Sequence, residues 1–446
     1  MHILVLILIV AATVVDCFVQ AFKVAPYIRL TPEVFSVIAV VFILMRGVRN
    51  GFTFVASKYW FAFGILSLII VCGMATNDVG AGPTLSGMRL YLRAIPLFLL
   101  PAVYAFTDKQ LQQQLKLIVV IALVQIPISA YQRYTVYSEG RFSGDDVRGT
   151  LVDSGILSIF LICCTLVATG FMMKNRLSKL YFVPLFFLLL FPTTIDETKA
   201  TVLLLPLGLL TTIVAGSPAG KRLKVFASGM ALLVGFAAIL IPIYDAMEVH
   251  NPQKGSRHIV DFFTNEEEIN SYMNSKKVGI GTVTPVRRGD ALKIPLQYLS
   301  RDPVHMAFGL GMGNASRSNL GEAFTGNYFG LFQSFVILSV TTFLLEVGIL
   351  GTALVFLLYW LIFRDAISVA RQDSGPVGSI AVGWIGVVAV MTLATFYTAI
   401  HLFASLSYLF WYFSGLIAAR RMQLAVQASD SRPHPLAQRA RASPSQ

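Results

Sequence analysis

Charge is what this sequence is short of. Only 13% of its 446 residues are Asp, Glu, Lys or Arg, while 56% are hydrophobic and the mean hydropathy is +0.70. A soluble domain carries roughly 25% charged residues, so an ordinary globular domain is excluded and an integral membrane protein is expected. Cysteine is scarce too. Cys17, Cys72, Cys163 and Cys164 are the full set, all in apolar stretches and without metal-ligand spacing. Disulfide staples and a zinc site are therefore not expected, and the four read as small buried hydrophobes. Long polar segments are absent but for one, residues 247–333. There is no internal repeat on inspection, and no nucleotide-binding fingerprint or metal cluster, so no cofactor is expected.

The net charge of +12 would suggest nucleic acid in a soluble chain. Here the basic excess sits in short loops and after Ala419, where the preference of Lys and Arg for the cytoplasmic side accounts for it. Nucleic acid is therefore not an expected partner.

Hydropathy divides the chain into apolar stretches long enough to span a bilayer, at about 3–22, 32–47, 60–76, 88–106, 115–137, 151–173, 180–196, 199–215, 225–245, 334–363, 378–398 and 402–420. The first lacks a basic leader and a small-residue cleavage pattern, so a retained helix is expected. The expected fold is all-α: a polytopic membrane helix bundle of about twelve transmembrane helices with one large extracytoplasmic loop. Helices one to nine occupy 1–246, the large loop 247–333, helices ten to twelve 334–420, and a disordered basic cytoplasmic tail 421–446. With an even count, Arg46, Lys58, Lys109, Lys174, Lys221, Arg364 and Arg420 share one face, and both termini lie in the cytoplasm.

Ionisable groups in or at the ends of spans are costly and mark candidate sites. Asp16 sits within the first span without an obvious local partner. Arg89 and Arg93 are four apart and share a helix face. Arg141 and Arg148 flank Asp145 and Asp146 in a turn-rich outer loop; they either bind an anion or pair with those acids. Lys199 opens the eighth span beside Thr193, Thr194 and Thr198. A helix start already favours anions, so the lysine makes a phosphate seat, unless it pairs with Asp196 or Glu197.

In the long loop, 247–277 is charged and mixed in sign and reads as a surface helix. From Pro285 the character changes. Arg287, Arg288 and Arg301 can grip phosphate oxygens with paired N–H groups. Asp290, Asp302, His305 or Glu322 could supply a catalytic base. Gly309, Gly311 and Gly313 permit close backbone approach to a ligand, although a packing or turn device is the alternative.

These features resemble the O-antigen ligase and polysaccharide polymerase superfamily of bacterial inner membranes. The likeness lies in about twelve spans, a large late outer loop, the arginine block at 287–291, the glycine run at 308–313, the entry at 149–155, and Leu345-Glu-Val-Gly-Ile-Leu-Gly351 in the span after the loop. It implies a metal-independent glycosyltransferase acting on polyprenyl-diphosphate-linked glycans outside the inner membrane. Its partners would be lipid-linked oligosaccharides, the bilayer and other polysaccharide assembly and export proteins. Lys199 stands where the family often has arginine. The histidine that ligases tend to carry before the Glu-x-Gly helix is missing from 334–339, which favours a polymerase over a ligase. A twelve-helix secondary transporter or flippase is the competing class.

Overall fold

The computed structural model describes residues 1–446 except 22, 51–55, 137–145, 197, 218–219, 221, 249–263, 276–278, 282–285, 319 and 431–446. Every regular element among the described residues is helical. Among the described residues, seven helices are long and apolar enough to cross a membrane: His2–Val19, Tyr27–Arg49, Ser57–Thr76, Asp108–Thr135, Ser154–Met173, Ser339–Gln372 and Pro376–Ala394. The chain is thus an all-helical, multi-pass membrane protein. Shorter apolar helices cover Lys179–Ile195, Ala200–Gly216 and Phe226–Ile239.

In chain order the helices are α1 (His2–Ala21), α2 (Thr31–Asn50), α3 (Ser57–Thr76), α4 (Ala81–Leu92), α5 (Ile95–Val103), α6 (Asp108–Tyr131), α7 (Ser154–Met173), α8 (Lys179–Ile195), α9 (Ala200–Gly216) and α10 (Arg222–Glu248). The loop contributes α11 (Glu266–Met273), α12 (Arg288–Leu299) and α13 (Pro303–Phe308). Last come α14 (Ser339–Gln372), α15 (Pro376–Ala394) and α16 (Ala404–Asp430).

Lipid tails are as apolar as leucine, so close backbone packing must hold such helices together. Small residues provide it at the centre. A Cβ on Gly170 of α7 would meet the Ser379 carbonyl oxygen of α15 at 2.3 Å, and one on Gly386 of α15 would meet the Gly208 carbonyl oxygen of α9 at 2.4 Å. α15, the most enclosed of the seven long helices, is gripped from two sides in this way.

Charges fasten the bundle at both ends. At one end Asp365 of α14 takes Lys58 Nζ at 2.5 Å and the Tyr59 hydroxyl at 2.7 Å. Beside it Arg420 of α16 pairs with Asp373 at 2.7 Å, and Lys174 donates to the Ala370 carbonyl at 2.6 Å. Toward the loop end, Asp16 has the partner that its own helix does not offer, Arg29 Nε at 2.9 Å.

The span expected at 88–106 is not one helix. α4 ends at Leu92 and α5 starts at Ile95, with Pro96 in its first turn. The break lets Arg93 point where a straight helix would not. Its Nη1 lies 3.3 Å from Glu33 Oε1, its Nη2 donates to the Leu402 carbonyl, and Arg89 Nη2 donates to Glu33 Oε1 at 2.8 Å. Two arginines thus share one glutamate, with side chains only 10–17% exposed. Removing one member of a mostly buried ion cluster costs about 3–5 kcal/mol. Glu33→Ala should therefore lower the thermal unfolding midpoint in detergent far more than Arg29→Ala at the more exposed pair, worth about 0–1 kcal/mol. Equal, small shifts would refute the cluster's role.

The span expected at 334–363 begins later, at Ser339, and is broken at Gly348, whose φ of 65° is left-handed. The short first limb, Ser339–Val347, supports the loop. Leu338, Val340, Leu344 and Leu345 join Ala291, Leu299, Leu310, Phe332 and Phe335 in a second apolar core, separate from that of the bundle. The C-terminal region also departs from expectation. α16 continues through Arg421 to Asp430, so the tail expected to be disordered from 421 is helical for its first turns; the remainder lies outside the described residues.

Candidate functional site

α12 begins where the sequence turns from Arg287 to Arg288, and the two side chains part there. Arg287 occupies the N-cap and is exposed; its amide donates to Ser275 Oγ at 3.0 Å. Arg288 turns inward. Its guanidinium packs on two tyrosine rings, 4.7 Å from the Tyr272 centroid and 4.5 Å from that of Tyr397, and its Nε donates to the Tyr397 carbonyl at 3.0 Å. The two ring contacts and the hydrogen bond to the Tyr397 carbonyl hold the guanidinium in place, while its charge stays uncompensated by any acid among the described residues.

Tyr397 connects this cation to the start of α7. A Cβ on Gly155 would lie 3.2 Å from the Tyr397 ring and 3.4 Å from Asp153 Oδ1, so the ring and the carboxylate close in on this glycine. Asp153 caps α7 by accepting from the Ile156 amide at 2.8 Å, and Arg148 bears electrostatically on it. The segment is pinned by α6. Gln132 Oε1 accepts from the amides of Arg148 and Gly149, and buried Gln125 accepts from that of Thr150 at 2.8 Å. Arg148 and Arg288, far apart in sequence, are thus linked through Asp153, Gly155 and Tyr397. Arg141 and Asp145 lie outside the described residues.

One turn further into α7, the Ser158 hydroxyl donates to Asp196 at 2.7 Å, and the Thr198 amide donates to its other oxygen at 2.9 Å. Lys199 follows as the N-cap of α9 and is half-exposed. The hydroxyls of Thr193 and Thr194 return to carbonyls of their own helix. Those of Thr198 and Thr201 are shielded and have no hydrogen-bond partner among the described residues. Glu197 lies outside the described residues.

The other expected residues are not gathered here. Arg301 is exposed just beyond the far end of α12, roughly 20 Å along the axis from Arg288. Arg288 and Arg301 thus cannot grip one phosphate. Near Arg301, burial and the neighbouring Tyr328 push the Tyr298 hydroxyl up, and Arg301 opposes them. Asp302 caps α13 through the Val304 amide at 2.8 Å and faces His305 Nδ1 at 3.4 Å. Glu322 is exposed in a single turn, Glu322–Phe324, over the start of α4. Asp290 accepts from the Ser275 amide at 2.6 Å, in the first turn of the helix that carries Arg288. Among the described residues no group of three or more His, Cys, Asp or Glu could hold a metal ion.

Of the two readings of the glycine run, the packing device is the one realised. Gly309, Gly311 and Gly313 all have positive φ. Added Cβ atoms would strike the backbone of Val347 and Gly348 at 2.7 Å, the Val79 side chain at 2.4 Å and the Pro83 carbonyl at 2.0 Å, respectively. The run thus threads between α3, α4 and the break in α14. Glu346 lies against it, 0% exposed. The amides of Gly313 and Ala315 and the hydroxyls of Ser316 and Tyr91 surround its carboxylate, but none reaches it in hydrogen-bond geometry. Tyr91 instead reaches the Thr342 carbonyl, at 3.4 Å. Glu346 is enclosed by these neighbours.

His401 completes this side. Its Nδ1 lies 2.8 Å from Ser339 Oγ at the start of α14, and its ring packs on Tyr91 and Phe343. Burial, and then the nearby Arg93, hold its pKa down to about 3. The imidazole is therefore neutral in the fold, whereas in the unfolded chain it would protonate near 6.5. Between those values the unfolded state binds more protons, so this residue's contribution to stability falls as pH drops below about 6.5. His401→Gln should flatten the fall of the unfolding midpoint over that acid range; an unchanged slope would refute the assignment.

Sequence reasoning missed Tyr272 and Tyr397. A tyrosine at the end of a span reads as an interface anchor, and nothing local marks it as one wall of an arginine cage. No family model and no curated protein matches the chain.

Proposed function

We propose that this protein is a polysaccharide polymerase of the bacterial inner membrane, a metal-independent glycosyltransferase that passes a glycan between polyprenyl-diphosphate-linked repeat units. The observation that carries this reading is Arg288 held against Tyr272 and Tyr397, with the Tyr397 ring packed at the Asp153–Gly155 entry of α7. A fixed, uncompensated cation at the end of an apolar bundle suits a substrate with a lipid tail and a diphosphate head. In the reaction the anomeric carbon–oxygen bond to the diphosphate breaks as the acceptor hydroxyl attacks that carbon. The hydroxyl proton goes to a carboxylate, and the departing diphosphate carries away charge that Arg288 stabilises. Of the four candidate bases, Asp290 shares the helix start with Arg288. Lys199, with the unengaged Thr198 and Thr201 beside it, is the second phosphate contact.

In this reading the seven long helices, the three shorter apolar ones, the broken α4–α5 pair and α16 make twelve crossings. Lys58, Lys174 and Arg420 mark the cytoplasmic end, both termini are cytoplasmic, and the loop faces outward. A cysteine at Ser271 should then react with an impermeant thiol reagent outside, and one at Ser217 should not, in a cysteine-free background. The reverse pattern would put the site on the wrong side.

A second reading, ligase, is favoured by His401. The imidazole missing before the Glu-x-Gly helix reaches that helix start from the α15–α16 connection. Purified protein given lipid-linked repeat units decides the matter. Lengthened lipid-linked chains support the polymerase, and transfer only to a different glycolipid acceptor supports the ligase. No transfer at all sinks both and leaves transport.

A further inference from the structure

A cavity lies in the bundle away from the arginine cage. It has a volume of about 680 Å³ and lies between α6, α7, α8, α15 and α16, within the size range of ligand sites. Its wall is almost wholly apolar, with Phe160, Ala168, Trp384 and Phe413 among its residues. Val120, 56% exposed, sets its mouth on the outer surface of the bundle. Three of the five bounding helices are long and apolar enough to cross a membrane, so the mouth gives onto the bilayer. Such a void does not hold water, which would find too few polar partners there. Left empty, it would forfeit the dispersion contacts of its walls.

Two cations sit on its lining, Lys116 of α6 and Arg176 of the α7–α8 turn. Lys116 is exposed and has no ion-pair or hydrogen-bond partner among the described residues. Arg176 gives Nε and Nη2 to the Ser374 carbonyl at 3.1 and 2.9 Å, a neutral acceptor that leaves its charge uncompensated. No acidic side chain lines the cavity. An apolar cleft open to lipid with two unbalanced cations on its lining matches a molecule with an apolar chain and an anionic head. Basic pockets between membrane helices hold acidic lipid headgroups in this way.

We propose that this cavity binds an anionic glycerophospholipid, its acyl chain against Trp384 and its phosphate between Lys116 and Arg176. The site is separate from the proposed transfer chemistry and does not depend on it. Trp384 is the natural reporter. With Trp60, Trp360 and Trp411 replaced by phenylalanine, Trp384 is the only tryptophan, and bromine on a neighbouring acyl chain quenches its emission. The full-length protein is placed in phosphatidylcholine vesicles containing a minor fraction of brominated phosphatidylglycerol or of brominated phosphatidylcholine. The anionic lipid should quench Trp384 at much lower mole fraction. Lys116→Gln with Arg176→Gln should remove that preference, by roughly fivefold for each charge. Ala168→Phe, which fills the cavity, should reduce quenching by both lipids. Val120→Phe at the exposed mouth gives the same reading should Ala168→Phe not fold. Equal quenching by the two lipids in the parent protein would overturn the headgroup seat, and absence of quenching by either would overturn the site.

Discussion

Replacing Arg288 by alanine should cut repeat-unit transfer by about 10²–10³-fold, the loss typical when one preorganised donor to a developing anion is removed, while leaving the protein's abundance in the membrane unchanged. The reasoning starts from its surroundings. The guanidinium packs on two tyrosine rings and its Nε is tied to the Tyr397 carbonyl, so its position is settled before any substrate arrives. Arg288→Lys keeps the charge but loses the planar fork and the stacking, and should recover only part of the rate. Tyr397→Phe keeps the ring and the backbone carbonyl and should be close to normal; Tyr397→Ala frees one face and should fall toward the lysine variant. Arg301→Ala is the internal control. Exposed beyond the other end of the helix, it should leave the transfer rate nearly intact. Initial rates with purified protein and a defined lipid-linked donor measure all five. A fully active Arg288→Ala, or an Arg301→Ala as impaired as Arg288→Ala, would remove the cage from the mechanism.

The second large effect is on folding. Gly313→Ala should yield a protein that scarcely accumulates or that unfolds far below the parent. The backbone there has a φ of +79°, and an added Cβ would sit 2.0 Å from the Pro83 carbonyl oxygen and 2.9 Å from the Gly87 nitrogen. Left-handed strain costs about 1–3 kcal/mol and forced overpacking about 1–3 kcal/mol more. Together they consume much of the roughly 5–15 kcal/mol that keeps a protein folded. Neither obstacle can relax cheaply, because both partners are backbone in α4. Gly64→Ala tests the contrary case. That glycine lies in α3 with nothing within 4 Å of a new Cβ, so the change should be neutral or stabilising by roughly 0.5–1 kcal/mol. Thermal unfolding in one detergent compares the two directly. A Gly313→Ala protein as stable as the parent would mean that the run does not thread between the helices.

Hydropathy and charge alone determined that the chain crosses a membrane, that its one long polar segment is set apart, and that Asp16, Arg89, Arg93 and Lys199 each need an explanation. These are properties of composition and of runs about twenty residues long, which adjacent residues settle among themselves. The sequence reading also found Arg288, but only as one of three arginines with equal standing. What separated them was tertiary. Arg288 alone meets Tyr397, which arrives from the end of α15, while α12 carries Arg301 away. Glu33 as the shared partner of Arg89 and Arg93, the break between α4 and α5 that lets Arg93 reach it, and His401 at the start of α14 were likewise invisible in the chain. So was the choice between the two uses of the glycine run, which turned on whether α3, α4 and α14 or a ligand would occupy the space beside it. In a membrane, apolar surface does not by itself tell a helix which neighbour to take. The neighbours are chosen by backbone-close packing at small residues and by buried charges finding one another. Both depend on which helices stand side by side, and the order of residues along a single helix does not encode that.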